Sequence, residues 1–120
     1  MLDAPRTSIV HGDLGRAHVL CDSGAVSGVI DWADVHVGDP AIDLAWALHD
    51  NGSAFADGLA EAYGVSADER ARALDWHLLG PWYEVSYGLD NSLPELVDSG
   101  MRGVIKRLST SRSGNAPESR

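Results

Sequence analysis

At 120 residues, with 44% apolar and 22% charged side chains, the chain is sized for one packed domain, and collagen-like, mucin-like and wholly disordered classes drop out. Eighteen acids against nine Lys and Arg give a formal charge of −9, which argues against nucleic acid or an anionic membrane as a partner. One cysteine, Cys21, excludes an internal disulfide, and apolar runs such as Ala45 to Leu48 are far too short to cross a bilayer. Met1 to Pro5 lack the basic-then-apolar pattern of a secretory leader, so a cytoplasmic location is expected. The first third reads as short strands at Thr7 to Val10, Val19 to Cys21 and Val26 to Ile30, with Asp22-Ser23-Gly24 as the turn of a small hairpin. From Asp39 the pattern becomes helical, with Asp39 as cap, Pro40 at the first position and Ile42 to Leu48 following. Asn51-Gly52-Ser53 breaks that helix, and a second is expected from about Ala54 to Tyr63, ended by Gly64.

Ser66 to Glu69 has capping-box spacing, and Ala71, Leu74, Leu78, Trp82, Val85 and Leu89 follow at steps of three and four. A long amphipathic helix is expected there, interrupted at Gly80-Pro81 because proline lacks the amide hydrogen and clashes with the preceding turn. Ser92 to Glu95 repeats the capping spacing before a last helix carrying Leu96, Val97, Met101, Val104, Ile105 and Leu108. The Trp76, Trp82, Tyr83 and Tyr87 set has the spacing of a core face. Residues 1–109 form the expected domain, α+β and mainly helical, and the Ser- and Arg-rich stretch 110–120 is expected to be a disordered tail. Charge divides in the same way, with seventeen acids and four bases in residues 1–101 against one acid and five bases in 102–120. An acidic body favours cationic ligands or bound metal.

The densest group of chemically able residues is His11-Gly12-Asp13, His18 and Asp31. A hairpin returns the chain to its start, so the loops after the first strand and after Ile30 can lie side by side. Two carboxylates and an imidazole then converge. Phosphoryl transfer needs such a set, with one carboxylate to accept the hydroxyl proton and further ligands for a magnesium ion that neutralises developing charge. Metal-dependent hydrolysis would use the same residue types. Nothing in the spacing assigns roles to Asp34, His36, His49 or His77.

Protein kinases carry His-Arg-Asp-x-x-x-x-Asn as a catalytic loop and Asp-Phe-Gly as a metal turn. The corresponding strings here are His11 to His18 and Asp31-Trp32-Ala33, and Gly38 to Ala45 reads Gly-Asp-Pro-x-x-Asp-Leu-Ala. Together, in order and spacing, these strings resemble the aminoglycoside phosphotransferase family. The resemblance implies the C-terminal lobe of a protein-kinase-like fold, with the hairpin carrying the catalytic and metal loops. It implies Asp13 as catalytic base, Asp31 as a magnesium ligand, and His11, Asp39 and Asp43 as structural supports of the site. His18 stands where most of the family has asparagine, and as a metal ligand it would offer imidazole to a cation that prefers oxygen; the Gly-His variant resembles the macrolide phosphotransferase branch.

What the resemblance implies for activity is transfer of the γ-phosphate of ATP or GTP, with Mg2+, to a hydroxyl of an amino-sugar antibiotic, a macrolide or an aminoglycoside, or of a related metabolite. The family's phosphate-gripping lysine and nucleotide-covering loop have no counterpart here, since Lys106 in the last helix is the one lysine. Little activity is therefore expected of the chain alone, and the face toward that lobe is expected to favour self-association. The alternative is a non-catalytic helical remnant or binding domain that keeps the acidic loops only as structure.

Overall fold

The structure, a computed structural model, describes residues 7–113. Its elements run β1 (Ser8–Val10), a 3₁₀ turn (Arg16–His18), β2 (Val19–Asp22), β3 (Ala25–Val29), β4 (His36–Gly38), α1 (Ala41–His49), α2 (Ser53–Tyr63), α3 (Ala67–Leu79), α4 (Trp82–Asp90) and α5 (Pro94–Ser113). The chain divides into two compact units, one up to His77 and one from Leu78 onward.

In the first unit, β2 and β3 form the expected hairpin. Ser23 (φ 50°) and Gly24 (φ 80°) both take positive φ, the requirement of a type I′ turn whose twist matches that of paired strands. A bulge at Leu20/Cys21 shifts the register, and beyond the ladder the Ile30 N–H donates to the His18 carbonyl at 2.9 Å. That bond sets the end of β3 beside the 3₁₀ turn. The second pairing was not foreseen: β1 runs antiparallel to β4, with Ser8 opposite Gly38, Ile9 opposite Val37 and Val10 opposite His36. Three residues are too few to show alternation, so β4 left no sequence signal.

The helices follow their predicted punctuation. Asp39 Oδ1 accepts the Ala41 N–H at 3.1 Å and so caps α1, whose first residue comes one place later than expected. Gly64, at φ 79°, closes α2 while the Val65 N–H reaches back to the Ala60 carbonyl at 3.0 Å. At α3 the capping box is complete, Ser66 N–H to Glu69 Oε2 at 2.9 Å and Glu69 N–H to Ser66 Oγ at 3.1 Å. Ala41, Leu44 and Leu48 of α1 bury one face against Ala56 and Ala60 of α2 and Ala73 of α3, with Leu59, Val65 and Trp76 at the edge. Alanines at these contacts let the helix axes approach closely. Each fully buried leucine contributes about 1.5–3 kcal/mol.

The second unit is a helical hairpin of α4 and α5. The expected capping box at Ser92 is replaced by a different device. Ser92 takes φ 56° and closes α4, its N–H donating to Leu89 O at 3.4 Å while the Leu93 N–H reaches Gly88 O at 2.8 Å. Buried Val85 of α4 meets Gly100 of α5, and buried Gly88 meets Val97. A β-carbon on Gly100 would lie 2.8 Å from the Pro81 carbonyl and 2.9 Å from the Val85 nitrogen, so close approach requires glycine there.

The aromatic set does not form one core. Trp76 packs on the first unit's cluster, whereas Trp82, Tyr83 and Tyr87 are about half exposed or more, because α4 spends its buried face on Val85 and Gly88. The tail expectation also changes. Residues 110–113 continue α5, with Ser109, Thr110 and Ser113 hydroxyls bonded to carbonyls four residues back; residues 114–120 lie outside the described residues. Extending an existing helix by a turn costs far less than starting one, so no apolar anchor is needed.

Candidate active site

The loop after β1 is held in place by the buried His11, 2% exposed. Its Nε2 lies 2.8 Å from the Ile30 carbonyl, which can only accept, so that nitrogen carries the proton. The Nδ1 lone pair is then free to accept the Asp13 N–H at 3.2 Å. One imidazole thus ties the loop after β1 to the end of β3. Its ring also packs at a tilt of 58° against Trp32 with centroids 4.8 Å apart, and the Trp32 indole N–H donates to the Val29 carbonyl at 2.9 Å.

A second brace comes from α1. Asp43 accepts the His11 N–H on Oδ2 at 2.8 Å and the Gly12 N–H on Oδ1 at 3.0 Å, so one carboxylate satisfies two successive loop amides. Gly12 sits at φ 87°, and a β-carbon there would stand 2.6 Å from the Asp34 carbonyl oxygen. Only glycine fits that crossing. Asp39, 6% exposed, fixes the start of the same helix: its Oδ2 accepts Arg72 Nε at 2.9 Å and Trp76 Nε1 at 3.3 Å, and Arg72 also pairs with Asp68. Burial pushes the Asp39 carboxyl up, but the hydrogen bonds from Arg72, Ala41 and Trp76 and the guanidinium charge outweigh it and hold the group below the usual carboxylate range.

These braces bring Asp13, His18 and Asp31 together. One donor atom from each lies within 4.8 Å of the others. His18 Nε2 is 3.4 Å from Asp31 Oδ2, and His18 Nδ1 is 3.9 Å from Asp13 Oδ2. Both carboxylates are more than half exposed and His18 is 21% exposed, so the group opens to solvent while its backbone is fixed from beneath. Asp31 takes φ 60°, a left-handed conformation that a non-glycine residue holds only when its surroundings impose it. Two oxygen donors and one nitrogen donor at this spacing fit the ligand set of a divalent cation, and Asp13 has an oxygen available for a substrate hydroxyl.

The sequence singled out His11, Asp13, His18 and Asp31 as a group and Asp39 as a helix cap, and the family resemblance pointed to Asp43. Sequence reading missed Arg72 and Trp76, which reach Asp39 from more than thirty positions away and carry no local signature. It also missed the Ile30 carbonyl, a backbone group that no residue type announces.

Residues 1–76 match the family described as the phosphotransferase enzyme family, and the chain belongs to it. Over 43 residues it is 49% identical to viomycin phosphotransferase of Streptomyces vinaceus, a stretch that is 32% of this chain and 15% of that protein. It is 47% identical over 39 residues to the uncharacterized protein YcbJ of Bacillus subtilis (strain 168), covering 32% of this chain and 13% of that one. Among solved structures, the GDP complex of wild-type aminoglycoside 2′-phosphotransferase-IIIa superposes with a TM-score of 0.73 at 19% identity, covering 88% of this chain and 38% of that one. The gentamicin complex of APH(2″)-IIa gives 0.63 at 22% identity, covering 81% and 34%. At those identities the likeness concerns the fold, the kinase-like fold of aminoglycoside phosphotransferases, of which this chain has the helical C-terminal part. The chain spans well under half the length of the relatives it matches. Among the described residues, no helix is long and apolar enough to cross a membrane.

Proposed function

We propose that this chain carries the catalytic and metal-holding residues of a cytoplasmic phosphotransferase that moves the γ-phosphate of ATP or GTP to a hydroxyl of an amino-sugar or related antibiotic. The observation that carries the reading is the convergence of Asp13, His18 and Asp31 on one open cluster, braced from below by His11 and Asp43. Family membership supports the reaction class. The names of the relatives, viomycin and aminoglycoside phosphotransferases, support an antibiotic acceptor, and the GDP complex of a fold relative supports a nucleotide donor. The His18 variant keeps a macrolide within the acceptor class.

In this reading Asp13 orients the acceptor hydroxyl and takes its proton as the oxygen attacks phosphorus. Its exposed carboxylate can reach a bound substrate, and the His11 bond to its N–H fixes the backbone that carries it. Asp31 and His18 hold the divalent ion that the reaction requires. Bound there, a divalent ion supplies positive charge against the phosphate oxygens. His11, Asp39 and Asp43 keep the two loops in register and touch neither substrate nor ion.

Transfer of label from γ-labelled ATP or GTP to a panel of amino-sugar acceptors tests the proposal, with the chain alone and with a nucleotide-binding lobe of the family supplied in trans. Label transfer is expected in the supplemented reaction, and Asp13→Asn is expected to lower its rate by about 10²–10⁴-fold. Absence of transfer in the supplemented reaction, or equal transfer by the variant, would overturn it.

A further inference from the structure

His18 meets the site through one nitrogen in a fixed tautomer. Its Nδ1 lies 2.8 Å from the Asp13 backbone carbonyl, and because a carbonyl only accepts, the proton sits on Nδ1 and the lone pair on Nε2. That lone pair is on the side of the Asp31 carboxylate, 3.4 Å from Oδ2. Adjacent ligands of a six-coordinate ion stand about 3 Å apart when metal–ligand bonds are near 2.1 Å, and opposite ligands just over 4 Å apart. His18 Nε2 and Asp31 Oδ2, 3.4 Å apart, therefore stand close to the separation of neighbouring ligands.

The ring is also prepared for the task. Donation from Nδ1–H to a carbonyl fixes the tautomer and restrains rotation of the ring, the arrangement usual for histidines that ligate metals. The His18 backbone is itself pinned by the Ile30 N–H, next to Asp31 in sequence. An imidazole is a borderline donor that suits first-row transition ions, whereas Mg2+ takes oxygen ligands and keeps its waters.

We infer that this centre selects a first-row transition ion such as Co2+ or Mn2+ over Mg2+, through a direct bond from His18 Nε2. The inference rests on the metal-holding role proposed for Asp31 and His18 and adds which class of ion they take.

The full chain, His18→Asn and Asp31→Asn are each titrated calorimetrically with Mg2+, Mn2+ and Co2+, with circular dichroism confirming that each is folded. Wild type is expected to prefer Co2+, and His18→Asn to lower the Co2+-to-Mg2+ affinity ratio by about tenfold or more. Spin-echo spectra of bound Mn2+ are expected to show nitrogen coupling in wild type and none in His18→Asn. Asp31→Asn is expected to weaken all three ions. An unchanged ratio with no nitrogen coupling, while Asp31→Asn still weakens binding, overturns the selectivity and leaves the metal centre standing. Failure of the folded wild type to bind any of the ions overturns both.

Discussion

Asp39, just before α1, and Asp43, in its first turn, stabilise the site in different ways. Asp43 hands its two oxygens to the His11 and Gly12 amides, while Asp39 is buried and shared by Arg72, Trp76 and the Ala41 N–H. A buried carboxylate deprived of its cation is expensive, so Arg72→Met is expected to lower unfolding free energy by about 3 kcal/mol at neutral pH. The sign of the pH dependence follows from the depressed carboxyl. With its folded value below the ordinary 3.8, Asp39 contributes stability that is fully present above that value and is lost as pH falls through the folded one. Urea unfolding is therefore expected to show a large gap between wild type and Arg72→Met at pH 7 that narrows toward pH 3; a gap independent of pH would contradict the role given to this pair. At this scale the sequence displayed the residues that act on neighbours within a few positions, as His11 does on Asp13. It concealed Arg72, because a contact across 33 positions exists only once α1 and α3 have packed.

Element ends were the most legible part of the fold, since their determinants are local. The Ser66–Glu69 box and Gly64 act within a turn of themselves, and both work as their residue types predict. Ser92 shows the limit of that logic: its spacing to Glu95 suits a cap for α5, yet it serves as the left-handed close of α4, because the same short linker must satisfy the end of one helix as well as the start of the next. β4 is defined by its partner β1 rather than by its own three residues. The α4–α5 contact depends on glycines that pattern reading treats only as weak points in a helix. Gly100→Ala raises helix propensity but drives a methyl into the Pro81 carbonyl and the Val85 backbone, so a net loss of about 1–3 kcal/mol is expected by thermal unfolding. A gain in stability would show that the two helices are not held at this separation.

On the scale of the whole molecule, the chain has a net charge of −9 and presents open carboxylates to solvent, which suits the protonated amino-sugar acceptor of the proposed function. The β1–β4 ribbon presents the opposite character, with the cross-strand pair Ile9 and Val37 at 77% and 61% exposure. Self-association through that ribbon is proposed on this basis. Sedimentation velocity is expected to show a concentration-dependent rise for wild type that is reduced in Ile9→Thr/Val37→Thr; a monomer at all concentrations would contradict it. The kinase-like C-terminal fold was legible because three short strings occur in one order, whereas the exposed aromatics of α4 were not, since helical spacing records periodicity and leaves open what stands opposite each face.

The account turns on residues 18 and 31 holding a single ion beside Asp13. Amide spectra of the full ¹⁵N-labelled chain, recorded as substoichiometric Mn2+ is added, read this directly. Broadening is predicted to begin at Asp13, His18 and Asp31 and to disappear in Asp31→Asn. Broadening spread evenly over surface acids such as Asp57 and Asp68, and unchanged in that variant, would contradict it.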